Sequence, residues 1–337
     1  MNILESEKDP IIFGIETSCD ETAVAILKGK DQLLSNLVNS QIDVHKVFGG
    51  VVPEVAARKH VEVLYKLSLK AFEEAQITPN DIDAVSVSFG PGLIGALLIG
   101  VSFAKGMSLS LGKPLIGVNH LMGHIYANFL DFPNLKPPFV TLLVSGGHTA
   151  ILLVKDYLDF EIIGETRDDA AGEAFDKVAR ILDLGYPGGP VIDEISKKAQ
   201  KLYDFPRPLY DKEYDFSFSG LKTSVLYFVR DYPQAKKEDI AASFQEAIID
   251  TLVHKVTKFA IKENIKDIVI AGGVAANSLL REKLNAFKDK LNIYYPRQSL
   301  CTDNAAMICR AGYEKYVRNM FDTLELDVVP NLGLSKI

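Results

Sequence analysis

Residues 11–27, IIFGIETSCDETAVAIL, decide the fold of this chain. Two apolar runs rich in β-branched residues flank a short polar segment, which is typical of a β-hairpin. Residues 139–154, FVTLLVSGGHTAILLV, repeat this arrangement. Aligning Thr22 with Thr149 places a serine four residues earlier in both turns. The two matching hairpins predict a duplicated unit, and therefore two related lobes with a cleft between them.

The composition is that of a globular protein of moderate size. The chain has 337 residues, of which 47% are hydrophobic and 24% charged, and this length suits two cores better than one. A net charge of −7 argues mildly against a dedicated nucleic-acid binder, because such proteins are usually basic. Three cysteines predict no disulfide framework, so we expect a reducing, cytoplasmic location.

Nothing in the sequence predicts contact with a membrane. The apolar stretch over residues 93–110 is interrupted by glycines and by Lys105, and we expect it to fall short of a bilayer span. The N-terminal MNILESEKDP is acidic and polar, so it does not resemble a secretory signal.

Helices and strands alternate along the rest of the chain, which is typical of an α/β protein. In the first half the pattern predicts helices over 53–75 and 93–111, a strand over 115–118, and a helix from His120 with Asn119 as its N-cap. In the second half it predicts helices over 169–184, 239–264, 276–287 and 303–316, and a strand over 267–271. We expect an N lobe over 1–134, a C lobe over 135–309, and a last helix, about 310–337, that packs back on the N lobe.

The strongest sign of a metal site is the pair His120 and His124. Residues four apart share one face of a helix, so both imidazoles can reach one ion. Asp303 offers an acidic third ligand, and two histidines with one carboxylate suit Fe(II), with Zn or Mn as alternatives. The other interpretation is two ordinary histidines. A zinc protease would carry H-E-x-x-H, but Leu121 occupies the position of the general base.

Both hairpin turns are candidates for ligand contacts. Gly146 and Gly147 let the backbone approach an anion and direct its N–H groups at it, although Gly-Gly is also common in plain hairpin turns. The first turn carries Asp20 and Glu21, which would repel a bare phosphate. These carboxylates suit an amine, a water or a metal, or they lie on an exposed tip.

Two further segments carry candidate nucleotide contacts. Residues 271–278, AGGVAANS, lead a strand into a helix, where a flat base can lie against backbone and Asn277 can bind a ribose or cap the helix. Residues 168–177 crowd four carboxylates, which is costly without a cation or polar ligand. The helix dipole explains the first two of them better than it explains Asp176. Asp193 is a further candidate for a ribose hydroxyl.

These motifs together resemble the universal tRNA threonylcarbamoyladenosine transferases, called TsaD in bacteria and once described as glycoprotein endopeptidases. The resemblance runs from about residue 13 to residue 312 and shows no departure at any motif position. It rests on GIETSCDETAVAI, NHLMGH, LVSGGHT, DDAAGEAFDKVAR, GYPGGP, FSFSGLKT, AGGVAAN and CTDNAAM.

The resemblance implies the two-lobed fold of the actin, Hsp70 and sugar-kinase group, with a nucleotide cleft. It implies transfer of a threonylcarbamoyl group from threonylcarbamoyl-adenylate to the exocyclic amine of a tRNA adenosine. That adenosine lies beside the anticodon of tRNAs that read codons beginning with A, and AMP leaves. The implied partners are tRNA, an inactive paralogue of the same fold and a small ATPase.

The resemblance also implies roles for single residues. His120, His124 and Asp303 match the metal ligands, and the matching substrate contacts are Leu143, Val144, Ser145, Gly146, Gly147, Asp176, Gly189, Asp193 and Asn277. The group that takes the proton from the amine is not readable, and Glu16, Asp20 and Glu21 are candidates. An ATP-dependent small-molecule kinase of the same fold and a non-catalytic nucleotide-binding subunit stay open as alternatives.

Overall fold

The computed structural model of the protein describes residues 9–333. The prediction on a secretory signal, which rests mainly on residues 1–8, and the end of the predicted helix over 310–337 lie outside the described residues. In chain order the first half contains β1 (Ile11–Glu16), β2 (Glu21–Lys28), β3 (Gln32–Ser40), α1 (Ile42–Lys46), α2 (Pro53–Ala75), β4 (Ala84–Gly90), α3 (Ile94–Leu111), β5 (Leu115–Asn119), α4 (His120–Tyr126) and α5 (Asn128–Asp131).

The second half continues the alternation of strands and helices. Its elements are β6 (Phe139–Val144), β7 (Thr149–Asp156), β8 (Asp159–Glu165), α6 (Ala171–Ile181), α7 (Gly188–Ser196), α8 (Ser219–Asp231), α9 (Lys237–Lys262), β9 (Asp267–Ala271), α10 (Ser278–Asn285), β10 (Asn292–Tyr294), α11 (Gln298–Cys301) and α12 (Ala305–Tyr316).

The chain divides into two compact units. Among the described residues, unit 1 contains 9–41, 52–134 and 303–333, and unit 2 contains 42–51 and 135–302. The chain therefore returns to unit 1 at Asp303, a few residues before the end that the sequence predicts for the C lobe. The last helix, α12, belongs to unit 1 and ends at Tyr316, so the predicted helix over 310–337 is wrong in its length.

Unit 1 is built on a five-stranded mixed sheet in the order β3-β2-β1-β4-β5. β1 and β2 form an antiparallel hairpin in which Ile15 pairs with Val24, while β4 and β5 run parallel to β1. Helices α2, α3 and α12 pack against these strands. Proline at the first position of α2, Pro53, suits a helix start because its missing N–H is not needed there.

Unit 2 repeats this sheet, with the order β8-β7-β6-β9-β10. β6 and β7 form the antiparallel hairpin, Leu143 pairs with Ala150, and β9 and β10 run parallel to β6. The core contains Val140, Phe175 and Phe244 among its buried residues. The duplication predicted from the two hairpin sequences is thus confirmed in strand order and strand direction.

Some elements were not predicted from the sequence. β3 and β8 are the strands at the antiparallel edges of the two sheets, and most of their residues are exposed or only partly buried. An edge strand with little buried surface leaves a weak apolar pattern in the sequence. Residues 202–218 are an irregular segment rich in aromatic side chains, which contains no helix and forms only an isolated bridge at Phe216.

Helix α3 is more apolar than the glycines and Lys105 in its sequence led us to expect. Its eighteen residues satisfy the length and composition of a membrane span, so the expectation that this stretch falls short is corrected. Only 33% of the helix is buried, and it packs against α2 and β4 within unit 1. A single helix of this kind is weak evidence for a membrane protein, because core helices of soluble proteins pass the same test.

Candidate metal centre and substrate-binding residues

The histidine pair lies on α4, which begins where β5 ends. The side chain of Asn119 caps the helix, since its Oδ1 accepts hydrogen bonds from the backbone N–H groups of Leu121 at 2.9 Å and Met122 at 3.4 Å. The predicted N-cap is therefore confirmed. His120 and His124 are both buried, and their ring centroids lie 4.7 Å apart. One turn of helix brings the two imidazoles together, as the spacing predicts.

Asp303 reaches the pair from the loop before α12. That helix is capped by Asn304, whose Oδ1 accepts from the Met307 N–H at 3.1 Å. α12 packs directly on α4. A Cβ atom on Gly123 would lie 3.0 Å from the Cδ1 of Ile308 and 3.2 Å from the Cγ of Met307, so glycine suits the close approach of the two helices. The approach brings Asp303 to the histidines from about 180 residues further along the sequence.

The three side chains form a compact group that could hold a metal ion. One ligand atom from each of His120, His124 and Asp303 lies within 4.8 Å of the other two. The Nε2 atoms of His120 and His124 are 3.6 and 3.2 Å from the Oδ1 of Asp303. Within residues 9–333, His124 Nδ1 is buried and has no hydrogen-bond partner. Two imidazoles, one carboxylate and an unused imidazole nitrogen fit a divalent transition metal.

A second carboxylate orients the first histidine. Glu16 Oε2 lies 2.9 Å from His120 Nδ1, and the hydroxyl of Ser18 lies 3.1 Å from the same atom. Holding Nδ1 in this way leaves Nε2 directed at Asp303, as is usual for ligand histidines. The sequence suggested Glu16 only as a catalytic base and gave Ser18 no role. Their position at the end of β1 and in the turn of the first hairpin could have indicated such a role.

Burial and charge act against each other in this cluster. Burial lowers the pKa of His120, but the carboxylates of Glu16 and Asp303 outweigh it and raise that pKa to about 9. Burial raises the pKa of Asp303, but His120 and His124 outweigh it and lower that pKa to about 2. Without an ion the cluster is therefore an imidazolium next to carboxylates at neutral pH.

The acidic turn between β1 and β2 lies close to this cluster. Asp20 is buried and Glu21 partly buried, so the interpretation as an exposed tip is wrong. Burial, then the charge of Asp303, then that of Asp20 raise the pKa of Glu21 to about 9. The turn thus brings two additional carboxyl groups near the metal ligands of unit 1.

The matching turn of unit 2 is closed by its own serine. The N–H of Ser145 donates to the carbonyl of His148 at 2.8 Å, and the N–H of His148 donates to the Ser145 hydroxyl at 3.2 Å. Gly146 and Gly147 are exposed, and a Cβ on either would meet nothing within 4 Å. Open space above a glycine backbone leaves room for an anion. The preceding residues of β6, Leu143 and Val144, are buried.

The other predicted nucleotide contacts make hydrogen bonds within unit 2. Asp176 Oδ1 accepts from the N–H of Gly188 at 2.7 Å, at the start of α7, while a Cβ on Gly189 would point into open space. Asp193 accepts from the hydroxyl of Ser278 at 2.8 Å and borders a cavity of about 370 Å³ between α7, α9 and α10.

Asn277 is a helix cap, as one of its two interpretations predicted. Its Oδ1 accepts from the N–H of Leu280 at 3.0 Å, and its Nδ2 donates to Gln245 at 2.9 Å. Gln245 and Ser278, which the sequence analysis missed, border the same cavity as Asp193. Only the helix packing places them there.

The crowded carboxylates of residues 168–177 are satisfied by the protein itself. Asp169 makes ion pairs with Lys177 at 2.7 Å and with Lys222 at 2.8 Å. Asp168 accepts from the N–H of Phe218 at 2.7 Å and from both the N–H and the hydroxyl of Ser219. The crowded carboxylates thus need neither a bound cation nor a polar ligand, because lysines, backbone N–H groups and a hydroxyl of the protein offset the cost. These residues instead anchor the start of α8.

The folds of solved proteins define the class of this chain. HypF from T. kodakarensis aligns with a TM-score of 0.63 at 14% identity, over 93% of this chain and 48% of HypF. The (R)-2-hydroxyglutaryl-CoA dehydratase component A of Acidaminococcus fermentans aligns with a TM-score of 0.58 at 17% identity, over 91% and 99% of the two chains. Together with the repeated sheet, these similarities define an α/β protein of the actin, Hsp70 and sugar-kinase fold.

Sequence similarity then identifies the family. The TsaD family model, described as tRNA N6-adenosine threonylcarbamoyltransferase, matches residues 32–310. Proteins with that name are 58% identical in Thermosipho africanus, over 96% of this chain and 100% of theirs, and 51% identical in Clostridium kluyveri, over 98% and 99%. The chain belongs to the TsaD family. It is a transferase that modifies tRNA, from a family of metal-dependent enzymes.

Proposed function

We propose that this enzyme takes its threonylcarbamoyl group from threonylcarbamoyl-adenylate. The acceptor is the exocyclic amine of the adenosine that follows the anticodon on its 3′ side, in tRNAs that read codons beginning with A, and AMP is released. The observation that carries the proposal is the buried cluster of His120, His124 and Asp303 in a chain of this family. A mixed anhydride is already activated, so positioning and charge stabilisation suffice for the transfer.

The adenylate is assigned to residues of unit 2. The open backbone at Gly146 and Gly147 suits the phosphate, with Leu143, Val144 and Ser145 fixing the strand end that presents it. Asp176, Gly189, Asp193 and Asn277 are assigned to the ribose and base. The cavity beside Asp193 and the polar side chains that border it support the assignment of Asp193, since a ribose hydroxyl needs acceptors and donors.

The metal is assigned to residues of unit 1. His120, His124 and Asp303 would hold one Fe(II) ion, with Zn as the alternative, because this mixed nitrogen and oxygen set suits both. When bound, the ion supplies a Lewis acid for the carbamoyl carbonyl or the adjoining phosphate. Glu16 keeps His120 oriented through Nδ1, which makes Glu16 a positioning group more than a base.

Proton removal from the amine is assigned to the acidic turn. A base must be ionised to accept a proton. The raised pKa of Glu21, caused first by its burial and then by Asp303 and Asp20, keeps it protonated at neutral pH in the protein without an ion. Glu21 cannot accept a proton in that form, so Asp20 is the carboxyl group of the turn that we assign as the base.

The partners follow from charge and exposed surface. A net charge of −7 gives the chain little attraction for a polyanion, so tRNA binding needs additional subunits. On α2, Val61, Tyr65 and Leu69 are spaced by four residues and are more than half exposed. We assign this face to the inactive paralogue and leave the small ATPase unplaced. The protein is cytoplasmic, in keeping with its three free cysteines.

A transfer assay tests the function directly. The chain, the paralogue, the ATPase, threonylcarbamoyl-adenylate and unmodified tRNA are mixed, and modified adenosine is measured by mass spectrometry after digestion of the RNA. Asp303→Ala should lower product formation by about 100-fold or more, since it removes a ligand. Asp327→Ala, which removes an exposed carboxylate of the same unit, should leave it unchanged.

Other results would point to other functions. Full activity of the Asp303→Ala protein would remove the metal cluster from the mechanism. Substrate-dependent formation of ADP from ATP, without tRNA modification, would favour a small-molecule kinase. Nucleotide binding without turnover in the complete mixture would favour a non-catalytic subunit.

A further inference from the structure

A buried histidine of unit 1 that lies outside the metal cluster contacts the acidic turn. His60 is on α2 and has no exposed surface. Its Nδ1 lies 2.8 Å from the hydroxyl of Thr22, and its Nε2 lies 3.0 Å from the carbonyl oxygen of Cys19. The two contacted residues stand immediately before Asp20 and immediately after Glu21. His60 therefore holds both ends of the segment that carries the two carboxyl groups.

The chemistry of the contacts fixes the hydrogen on His60. A carbonyl oxygen can only accept, so Nε2 carries the hydrogen and donates it to Cys19. In the neutral ring Nδ1 then accepts from the Thr22 hydroxyl, which is also fully buried. Both groups would lose their partner in a variant without the imidazole, and buried polar groups without partners are costly.

His60 is one of three donors that fix successive carbonyls of this turn. The Ser18 carbonyl accepts from the N–H of Leu93 at 2.7 Å, and the Asp20 carbonyl accepts from the N–H of Gln41 at 3.0 Å. Both of those donors belong to the backbone. The carbonyl between them, that of Cys19, receives the side chain of His60.

Among residues 9–333, no side chain takes the place of His60 at the equivalent hydroxyl of the unit 2 turn. There the hydroxyl of Thr149, which aligns with Thr22, accepts from the backbone N–H of Ala171 at 2.8 Å. The Ser145 carbonyl, which aligns with that of Ser18, accepts from the N–H of Gly172 at 3.2 Å. The turn of unit 2 is thus held by backbone N–H groups of a helix, whereas an imidazole holds the acidic turn of unit 1.

We propose that His60 is a positioning residue for threonylcarbamoyl transfer, which fixes the turn so that Asp20 and Glu21 keep their place beside the ligand Asp303. The proposal rests on the proposed function for its effect on the reaction. Its effect on the turn can be measured without any reaction. A displacement of a reacting group by an ångström or less is enough to slow catalysis strongly.

The experiment compares three variants of the full chain. His60→Leu removes both contacts, and His60→Gln keeps an amide N–H that can reach the Cys19 carbonyl. Ser68→Ala is the matched control, because it removes a buried hydrogen bond of the same helix, from the Ser68 hydroxyl to the Leu64 carbonyl at 2.8 Å, that does not touch the turn. Thr22→Val probes the same contact with little change in volume if the His60→Leu protein does not fold.

Amide hydrogen exchange over residues 16–23 and steady-state transfer kinetics are measured on each protein, together with metal content. In the His60→Leu protein we expect exchange in the turn to rise by about tenfold or more. We expect kcat to fall by about 10–100-fold, while KM for the donor stays within about threefold and metal content is retained. The His60→Gln protein should recover part of both losses, and the Ser68→Ala protein should show neither.

Turn exchange that matches the Ser68→Ala protein would overturn the proposal. So would a loosened turn with unchanged kcat, because the turn would then have no role in the reaction. A wild-type enzyme without transfer activity would overturn the proposed function, and the exchange data would still decide whether His60 holds the turn.

Discussion

At the scale of single residues, the charges of neighbouring groups decide the protonation of His120 and Asp303. His120 lies between the carboxylates of Glu16 and Asp303, and their attraction for its proton exceeds the effect of burial. The pKa of Asp303 is lowered to about 2, because the two imidazoles outweigh the effect of its burial. Asp303 is therefore a carboxylate at neutral pH. In the imidazolium form of His120, a proton therefore occupies Nε2, the nitrogen that would bind an ion.

Metal affinity should consequently depend on pH. His120 must release a proton to bind an ion, and without an ion its pKa is about 9, since Glu16 and Asp303 outweigh burial. Affinity for Zn²⁺, measured by competition with a chromophoric chelator, should rise about tenfold per pH unit up to that pKa and then level off. Asp303 is ionised throughout and adds no slope. Glu16→Gln should move the break to lower pH, and an affinity that is flat between pH 7 and 9 would contradict the assignment.

At the scale of elements, glycines allow α6 to approach the glycine turn of unit 2 and α7 to approach α6. In unit 2 a Cβ on Gly172 would lie 2.6 Å from the Ser145 carbonyl oxygen and 2.8 Å from the Cα of Gly146. A Cβ on Gly188 would lie 2.5 Å from the carbonyl oxygen of Phe175. The motifs that contain these glycines thus specify close packing of α6 and α7, in addition to any contact with substrate.

Gly172→Ala should disturb the glycine turn of unit 2. The added methyl group meets backbone atoms, which cannot move aside as a flexible side chain can. We expect unfolding free energy to fall by about 1–3 kcal/mol in chemical denaturation, and AMP binding measured by calorimetry to weaken. Gly220→Ala is the control, because its nearest neighbour would be 3.9 Å away, and it should leave both unchanged or raise stability slightly. Unaltered AMP binding in the Gly172→Ala protein would separate this turn from the nucleotide site.

At the scale of the whole molecule, the two matching turns of the duplicated sheet differ in their residues. The turn of unit 1 carries carboxyl groups beside the candidate metal ligand Asp303, and the turn of unit 2 carries exposed glycines. Unit 1 also leaves an apolar stripe on α2 uncovered, with Tyr65 61% and Leu69 51% exposed. Such surface is costly to leave in water, which favours its burial against another protein.

The double substitution Tyr65→Glu and Leu69→Glu should prevent assembly with the paralogue. Placing a charge at an anchor residue of an apolar contact typically costs about 2 kcal/mol or more, so the two substitutions together should lower the affinity measured by calorimetry by about 1,000-fold. Leu324→Glu makes the same change at an exposed leucine elsewhere in unit 1 and should have no effect. Unchanged assembly of the double variant would place the paralogue on another surface. If the reaction requires the paralogue, the double variant should also lose transfer activity.

The sequence alone determined the hairpins, the duplication, most helices and the histidine pair, because these depend on local pattern and on residues a few positions apart. The N-cap at Asn119 and the helix over 53–75 needed nothing beyond that pattern. The edge strands β3 and β8 were not predicted because most of their residues are exposed or partly buried, which leaves a weak apolar pattern. The irregular segment before α8 has no periodic pattern, and its backbone bonds to distant residues, as in the hydrogen bond from the N–H of Phe216 to the carbonyl of Glu165. The sequence also named Asp303 as a third ligand, but only the tertiary structure gave its distances of 3.2 and 3.6 Å from the histidines. Tertiary structure alone decided that protein lysines neutralise Asp169 and that His60 holds the acidic turn. The physical reason is that such contacts depend on how helices pack. Packing brings together residues that are distant in the sequence, and no local sequence pattern predicts which of them will meet.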